Sequence, residues 1–142
     1  MAEITFTEET IQYVSLFQDL TRTTVVDCLD TADRLIFVVK AGDIARAIGK
    51  GGEHVQTLRR RMNKEIHVVE YSDDPKAFVA NVFRSYDVKK VEIETRENGI
   101  VHATVTVDPA KKGRAIGKAG KNLRVFRDLI ARHHAIQSVS VA

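Results

Sequence analysis

The 142-residue chain contains one cysteine, no tryptophan, two prolines and only 6% aromatic residues. A single cysteine, Cys28, excludes an internal disulfide and a cysteine-based zinc site, and makes a reducing, cytoplasmic compartment the expectation. The small number of prolines and the eight glycines exclude a collagen-like or low-complexity chain. Long apolar runs are also missing: Leu35 to Val39 is among the longest, far below the roughly 18 residues that span a bilayer. Residues Met1 to Thr10 are acidic rather than signal-like, so no membrane association is expected. What remains is a chain able to bury a core, with 44% hydrophobic and 29% charged residues. At about 100–200 residues per domain, its length fits one ordinary domain or two very small ones and excludes a large multidomain enzyme.

The net charge of +3 is unevenly spread. Residues 40–64 hold seven Lys/Arg against Asp43 and Glu53, and residues 108–134 hold eight against Asp108 and Asp128, leaving the remainder of the chain at −8. Such concentration suits a surface that meets a polyanion. Two solvated helix faces would give the same count.

The two basic windows are copies of each other. Arg46-Ala47-Ile48-Gly49-Lys50-Gly51-Gly52 recurs 68 residues later as Arg114-Ala115-Ile116-Gly117-Lys118-Ala119-Gly120. Beyond the glycines, Val55, Leu58 and Met62 correspond to Leu123, Phe126 and Ile130, and steps of three and four mark one face of a helix. Arg59, Arg60 and Arg61, and Lys121, Arg124 and Arg127, lie largely between these positions, so both helices are amphipathic and basic.

Around this repeat the pattern predicts α-β-β-α-α-β twice. The first copy comprises a helix from Glu8 to Leu20 capped by Thr7, strands Thr24–Leu29 and Arg34–Lys40, a short helix Asp43–Ile48, the basic helix Gly52–Met62 and a strand Ile66–Glu70. The second comprises a helix Pro75–Arg84, strands Val88–Arg96 and Ile100–Val107 around an Asn98-Gly99 turn, helices Ala110–Ile116 and Gly120–His133, and a strand Ile136–Val141. Val101, Ala103, Val105 and Val107 are expected on one face of their strand, with His102, Thr104 and Thr106 on the other. The run Tyr71 to Pro75 suits a boundary, dividing the chain into domains 1–74 and 75–142. Modules of about 70 residues bury little surface alone, so the two are expected to pack together.

At Gly49–Gly52 and Gly117–Gly120 one helix must end and another begin within four residues, which needs angles that a Cβ tolerates poorly. Bare glycines let a phosphate backbone approach closely, while amides opening the next helix are expected to face outward as donors. Lys50 and Lys118 place a cation there, and Ile48 and Ile116 are placed to floor a strand of bases. Arg46, Arg59, Arg114, Lys121 and Arg124 would extend the positive track, and Arg127, the counterpart of Arg59, could flank the strand with charge. The Ala119 that replaces Gly51 is expected to adopt ordinary helical angles.

The Ile-Gly-Lys-x-Gly turn between two helices inside α-β-β-α-α-β resembles the KH domain of type II topology. Two tandem copies resemble the archaeal NusA-like transcription factors, a resemblance that covers Phe6 to Val141. It implies an α+β fold of two KH domains, each a three-stranded sheet covered by helices on one face. It also implies single-stranded RNA held across both turns, at Gly49, Lys50, Gly51 and Gly52 and at Gly117, Lys118, Ala119 and Gly120, in transcription termination, antitermination or elongation. A KH module clamps about four nucleotides through its GXXG loop. Bacterial NusA adds a polymerase-binding domain and an oligonucleotide-binding barrel, for which 142 residues leave no room. RNA binding is thus expected to transfer better than polymerase binding, with RNA polymerase a further candidate partner.

Other chemistries fit less well. A nucleotide-hydrolysing P-loop would need glycine where Ile44 and Lys112 stand, and Ser or Thr where Gly51 and Ala119 stand. His54, His67, His102, His133 and His134 show neither metal spacing nor a paired nucleophile, so no catalytic residue, metal, cofactor or small-molecule substrate is expected. Cys28, two residues after Val26 on a strand, is read as a small core hydrophobe. His133 and His134 are read as cations ending a helix or at the rim of the groove. The scarcity of aromatics argues against base stacking on a sheet and for aliphatic contacts, amides and charge. Two readings remain beside this one, a ribosome-associated KH protein and a module docking an acidic protein partner.

Overall fold

The computed structural model describes residues 7–142. The chain forms two compact units, one ending at Ser72 and the other running from Asp73 to Ala142. The first contains α1 (Glu8–Thr21), β1 (Val25–Asp30), β2 (Arg34–Val39), α2 (Ile44–Ile48), α3 (Glu53–Met62) and β3 (Glu65–Glu70). The second contains α4 (Pro75–Val82), β4 (Val88–Thr95), β5 (Val101–Val107), α5 (Lys112–Ile116), α6 (Lys121–His133) and β6 (Ser138–Val141). Each sheet has its middle strand second in sequence, antiparallel to the strand before it and parallel to the strand after it. The parallel crossover is what places both connecting helices over the sheet.

Local chemistry sets the boundaries of α1. Thr7 caps it by accepting the Thr10 N–H at 3.2 Å, and Glu8 and Glu9 complement its N-terminal dipole. It ends where Arg22 turns left-handed at φ 59° and its N–H reaches the Gln18 carbonyl. The Gln18 side chain then accepts from Val25 N–H at 2.9 Å, fixing how β1 leaves the helix.

The core of the first unit lies between the sheet and its helices. Cys28, Leu35, Phe37, Val39 and Ile66 face Phe17, Ala47 and Leu58, and Phe17 stacks on Phe37 with centroids 4.2 Å apart. In the second unit Phe83 meets Phe126 edge-on at 5.2 Å, and Val91, Ala103 and Val105 are buried in the sheet. Burying one such side chain contributes about 1.5–3 kcal/mol, so these few residues dominate the stability of a small module.

Four details depart from the sequence pattern. A bulge between Val25 and Asp27 breaks the alternation of β1, leaving Val26 exposed while Asp27 and Cys28 are both buried. Helix α4 stops at Val82, and Arg84–Tyr86 forms a separate 3-10 turn. His102, placed on the polar strand face, is buried; its ring nitrogens meet Ser138 Oγ at 2.8 Å and Ser140 Oγ at 2.9 Å. Burial, the largest cause, holds its imidazole below the ordinary histidine range, with Arg96 adding to the effect. His133 ends α6 as expected but is buried, its ring against that of Phe78 at 5.3 Å.

Candidate nucleic-acid interface

The two turns are nearly superimposable in backbone angles. Gly49 and Gly117 stand at φ 79°, ψ 169° and φ 77°, ψ 169°. That region is essentially confined to glycine. Lys50 and Lys118 then open 3-10 turns of three residues that lead into α3 and α6. Gly52 and Gly120 complete the reversal in the left-handed region, at φ 78° and 74°.

The close approach that glycine permits is used within the protein itself. A Cβ at Gly49 would lie 2.9 Å from the His54 ring, and one at Gly117 would lie 2.9 Å from the backbone nitrogen of Asn122. His54 Nδ1 donates to the Arg46 carbonyl at 2.9 Å, and Asn122 Nδ2 donates to the Arg114 carbonyl at 2.9 Å. These equivalent side chains tie the end of the short helix to the start of the long one. Sequence reading missed both, although the 68-residue offset that aligned the glycines also aligns His54 with Asn122.

Two expectations about the turn are corrected. Two amides at each turn are not free to face outward as donors: Gly52 and Gly120 donate to Gly49 and Gly117 carbonyls at 3.1 Å, and Glu53 and Lys121 donate to the carbonyls of Lys50 and Lys118. Ala119 is not in ordinary helical angles either. It sits at φ 56°, ψ 26°, matching Gly51 at φ 63°, ψ 18°, in a left-handed conformation that costs an L-residue about 1–2 kcal/mol. Arg124 partly compensates, its Nη1 donating to the Ala119 carbonyl at 2.7 Å.

The side chains assigned to the interface divide by their partners. Lys50, Lys118 and Arg114 are exposed and have no acidic partner among the described residues. Ile48 and Ile116 are half-buried beside them, ending α2 and α5. Lys121 is exposed at the start of α6. Arg46 pairs with Asp43 at 2.8 Å, and Arg59 lies 3.3 Å from Glu65. Asp43 is buried, and its other oxygen accepts the Thr24 N–H at 3.0 Å. That backbone donor, with Arg46 beside it, holds the Asp43 carboxyl below its usual range. Arg46 is thus anchored to the fold through a strand-end amide two elements away.

Comparison with known proteins agrees with this architecture. A family model described as "KH domain" matches residues 11–73, and one described as "NusA-like second KH domain" matches residues 75–142. The "Probable transcription termination protein NusA" of Thermoplasma acidophilum is 34% identical over 141 residues, covering 99% of this chain and 97% of that protein. The protein of the same name from Methanocaldococcus jannaschii is 32% identical over 141 residues, covering 99% of this chain and 76% of that one. The crystal structure of APE1850 matches with a TM-score of 0.74 at 34% identity, over 96% of this chain and all of that one. The fold and its paired turns therefore define a tandem KH protein. More particularly, the chain belongs to the NusA-like family.

Proposed function

We propose that this protein binds single-stranded RNA through both glycine turns and acts, as a binding factor rather than a catalyst, in transcription termination. The observation that carries the reading is the repeated site itself. Twice, an exposed lysine stands on a turn whose backbone is held at the same glycine-dependent angles, next to a half-buried isoleucine. A phosphate backbone can lie against Gly49–Gly52 and Gly117–Gly120, with Lys50 and Lys118 neutralising charge and Ile48 and Ile116 supporting bases. Arg46, Arg59, Arg114, Lys121 and Arg124 extend the track. The transcriptional role is supported by the names of the relatives, and contact with RNA polymerase belongs to the same proposal.

The test is a titration of short single-stranded RNA at low and moderate salt. The comparison variant carries Lys50→Asp, Gly51→Asp, Lys118→Asp and Ala119→Asp, with circular dichroism to confirm its fold. Salt-sensitive binding that disappears in the folded variant is expected. Undiminished binding by that variant would sink the clamp and leave the basic faces to a protein partner.

A further inference from the structure

The 68-residue correspondence pairs residues 43–59 with residues 111–127. The first stretch holds three basic and two acidic side chains, whereas the second holds seven basic and none acidic. Two positions reverse sign outright: Asp43 corresponds to Lys111, and Glu53 to Lys121. Two more gain charge, since Ile44 corresponds to Lys112 and Gln56 to Arg124. The turns share a backbone and differ in the field around it.

Internal pairing widens the difference. Within residues 43–59 two of the three cations are tied to carboxylates, Arg46 to Asp43 at 2.8 Å and Arg59 to Glu65 at 3.3 Å, while Arg60 and Arg61, about two helical turns past the glycines on α3, are exposed. At the second turn, Lys111 is tied to Asp87 at 2.6 Å and Arg127 lies 3.4 Å from Asp128. Lys112, Arg114 and Lys118 are exposed with no acidic partner among the described residues. Arg124 is held at the turn by a neutral carbonyl, a bond that takes one of five guanidinium N–H groups and leaves its charge uncompensated.

We propose that the turns are functionally unequal. The second is the phosphate anchor that supplies most of the electrostatic affinity, and the first is a weakly charged contact that adds little to the salt dependence. This rests on the RNA-binding reading above. Counterion release scales with the number of phosphates neutralised, about 0.7 in the log–log salt slope per contact for a single strand. A turn whose cations already face carboxylates releases fewer counterions than one whose cations are unpaired.

Matched variants of the full chain test this with a labelled single-stranded RNA of about 15 nucleotides and mixed sequence, long enough for two clamps of about four nucleotides each. One carries Arg46→Ala and Lys50→Ala; the other carries Arg114→Ala and Lys118→Ala. Both lose the same net charge at equivalent positions. The second pair is expected to lower the slope by about 1.4 and the affinity more than tenfold, while the first lowers the slope by less than about 0.7 and the affinity less than threefold. Should either pair disturb the fold, the single variants Arg46→Ala and Arg114→Ala, both at exposed side chains, give the same ranking, because Arg46 faces a carboxylate and Arg114 faces none among the described residues. Equal losses, no change in slope from either pair, or a larger loss from the first overturns the inequality while leaving RNA binding intact. A wild-type chain that binds no RNA overturns both.

Discussion

Substitutions two residues apart in the second turn should change stability in opposite directions. Gly117→Ala forces an L-residue into φ 77°, ψ 169°, a strain of order 1–3 kcal/mol. It also sets a Cβ 2.9 Å from the Asn122 backbone nitrogen, which cannot give way without moving the start of α6. Loss of the Asn122 bond to Arg114 adds about 0.5–1.5 kcal/mol. A total near 3 kcal/mol follows, and at about 4–8 °C per kcal/mol for a module of this size the melting point falls by at least about 12 °C. Ala119→Gly instead relieves a left-handed residue, gaining about 1–2 kcal/mol. The greater freedom of glycine in the unfolded chain takes back about 0.4–1 kcal/mol, so the net gain is roughly 0.5–1 kcal/mol. Thermal and urea unfolding followed by circular dichroism measures both. A Gly117→Ala variant within 1 kcal/mol of wild type, or an Ala119→Gly variant that melts earlier, would refute the assignment of strain to these positions.

Asp43→Ala strips the Thr24 N–H of its acceptor and releases Arg46, a loss expected to be about 1–3 kcal/mol in urea unfolding. Because the folded carboxyl lies below its usual range, the stability it contributes is whole above about pH 4 and is lost as pH falls through the folded value. The gap between wild type and variant should therefore narrow in acid; a gap independent of pH would contradict the assignment. His102 follows the same direction with pH for a different reason: burial keeps its base neutral, so the unfolded chain takes up the proton first. Stability should drop as pH falls below about 6.5 and level off beneath the folded value, and His102→Gln should flatten that part of the urea-midpoint profile.

Much of the fold could be read in the sequence because the chain states it twice. The aligned glycines, lysines and isoleucines located both turns, and the three- and four-residue steps after them located the helices that follow. The parity of β1 could not be read. A bulge at Val26 inserts one residue, and alternation on either side of it then refers to different faces. Charge counting found the basic windows and overstated the first of them: Arg46, Arg59 and Lys64 have carboxylate partners at Asp43, Glu65 and Asp30. The Lys64 partner lies 34 residues earlier in the chain, a distance at which no local pattern operates. That His133 ends α6 was visible in the sequence; that its ring meets Phe78, far back in the chain, was not.

By itself, then, the sequence determined the architecture and the place of the turns, since hydrophobic periodicity and glycine requirements are properties of neighbouring residues. Which cations stay available to a polyanion was decided only by the tertiary structure. A charge is spent or kept according to what folding brings within 4 Å of it, and at the first turn folding brings Asp43 and Glu65 to its arginines. The conformation of Ala119 was decided there too. Closing the reversal between α5 and α6 requires a left-handed residue at that point whatever its side chain, and the Arg124 guanidinium, five residues along, helps to hold it.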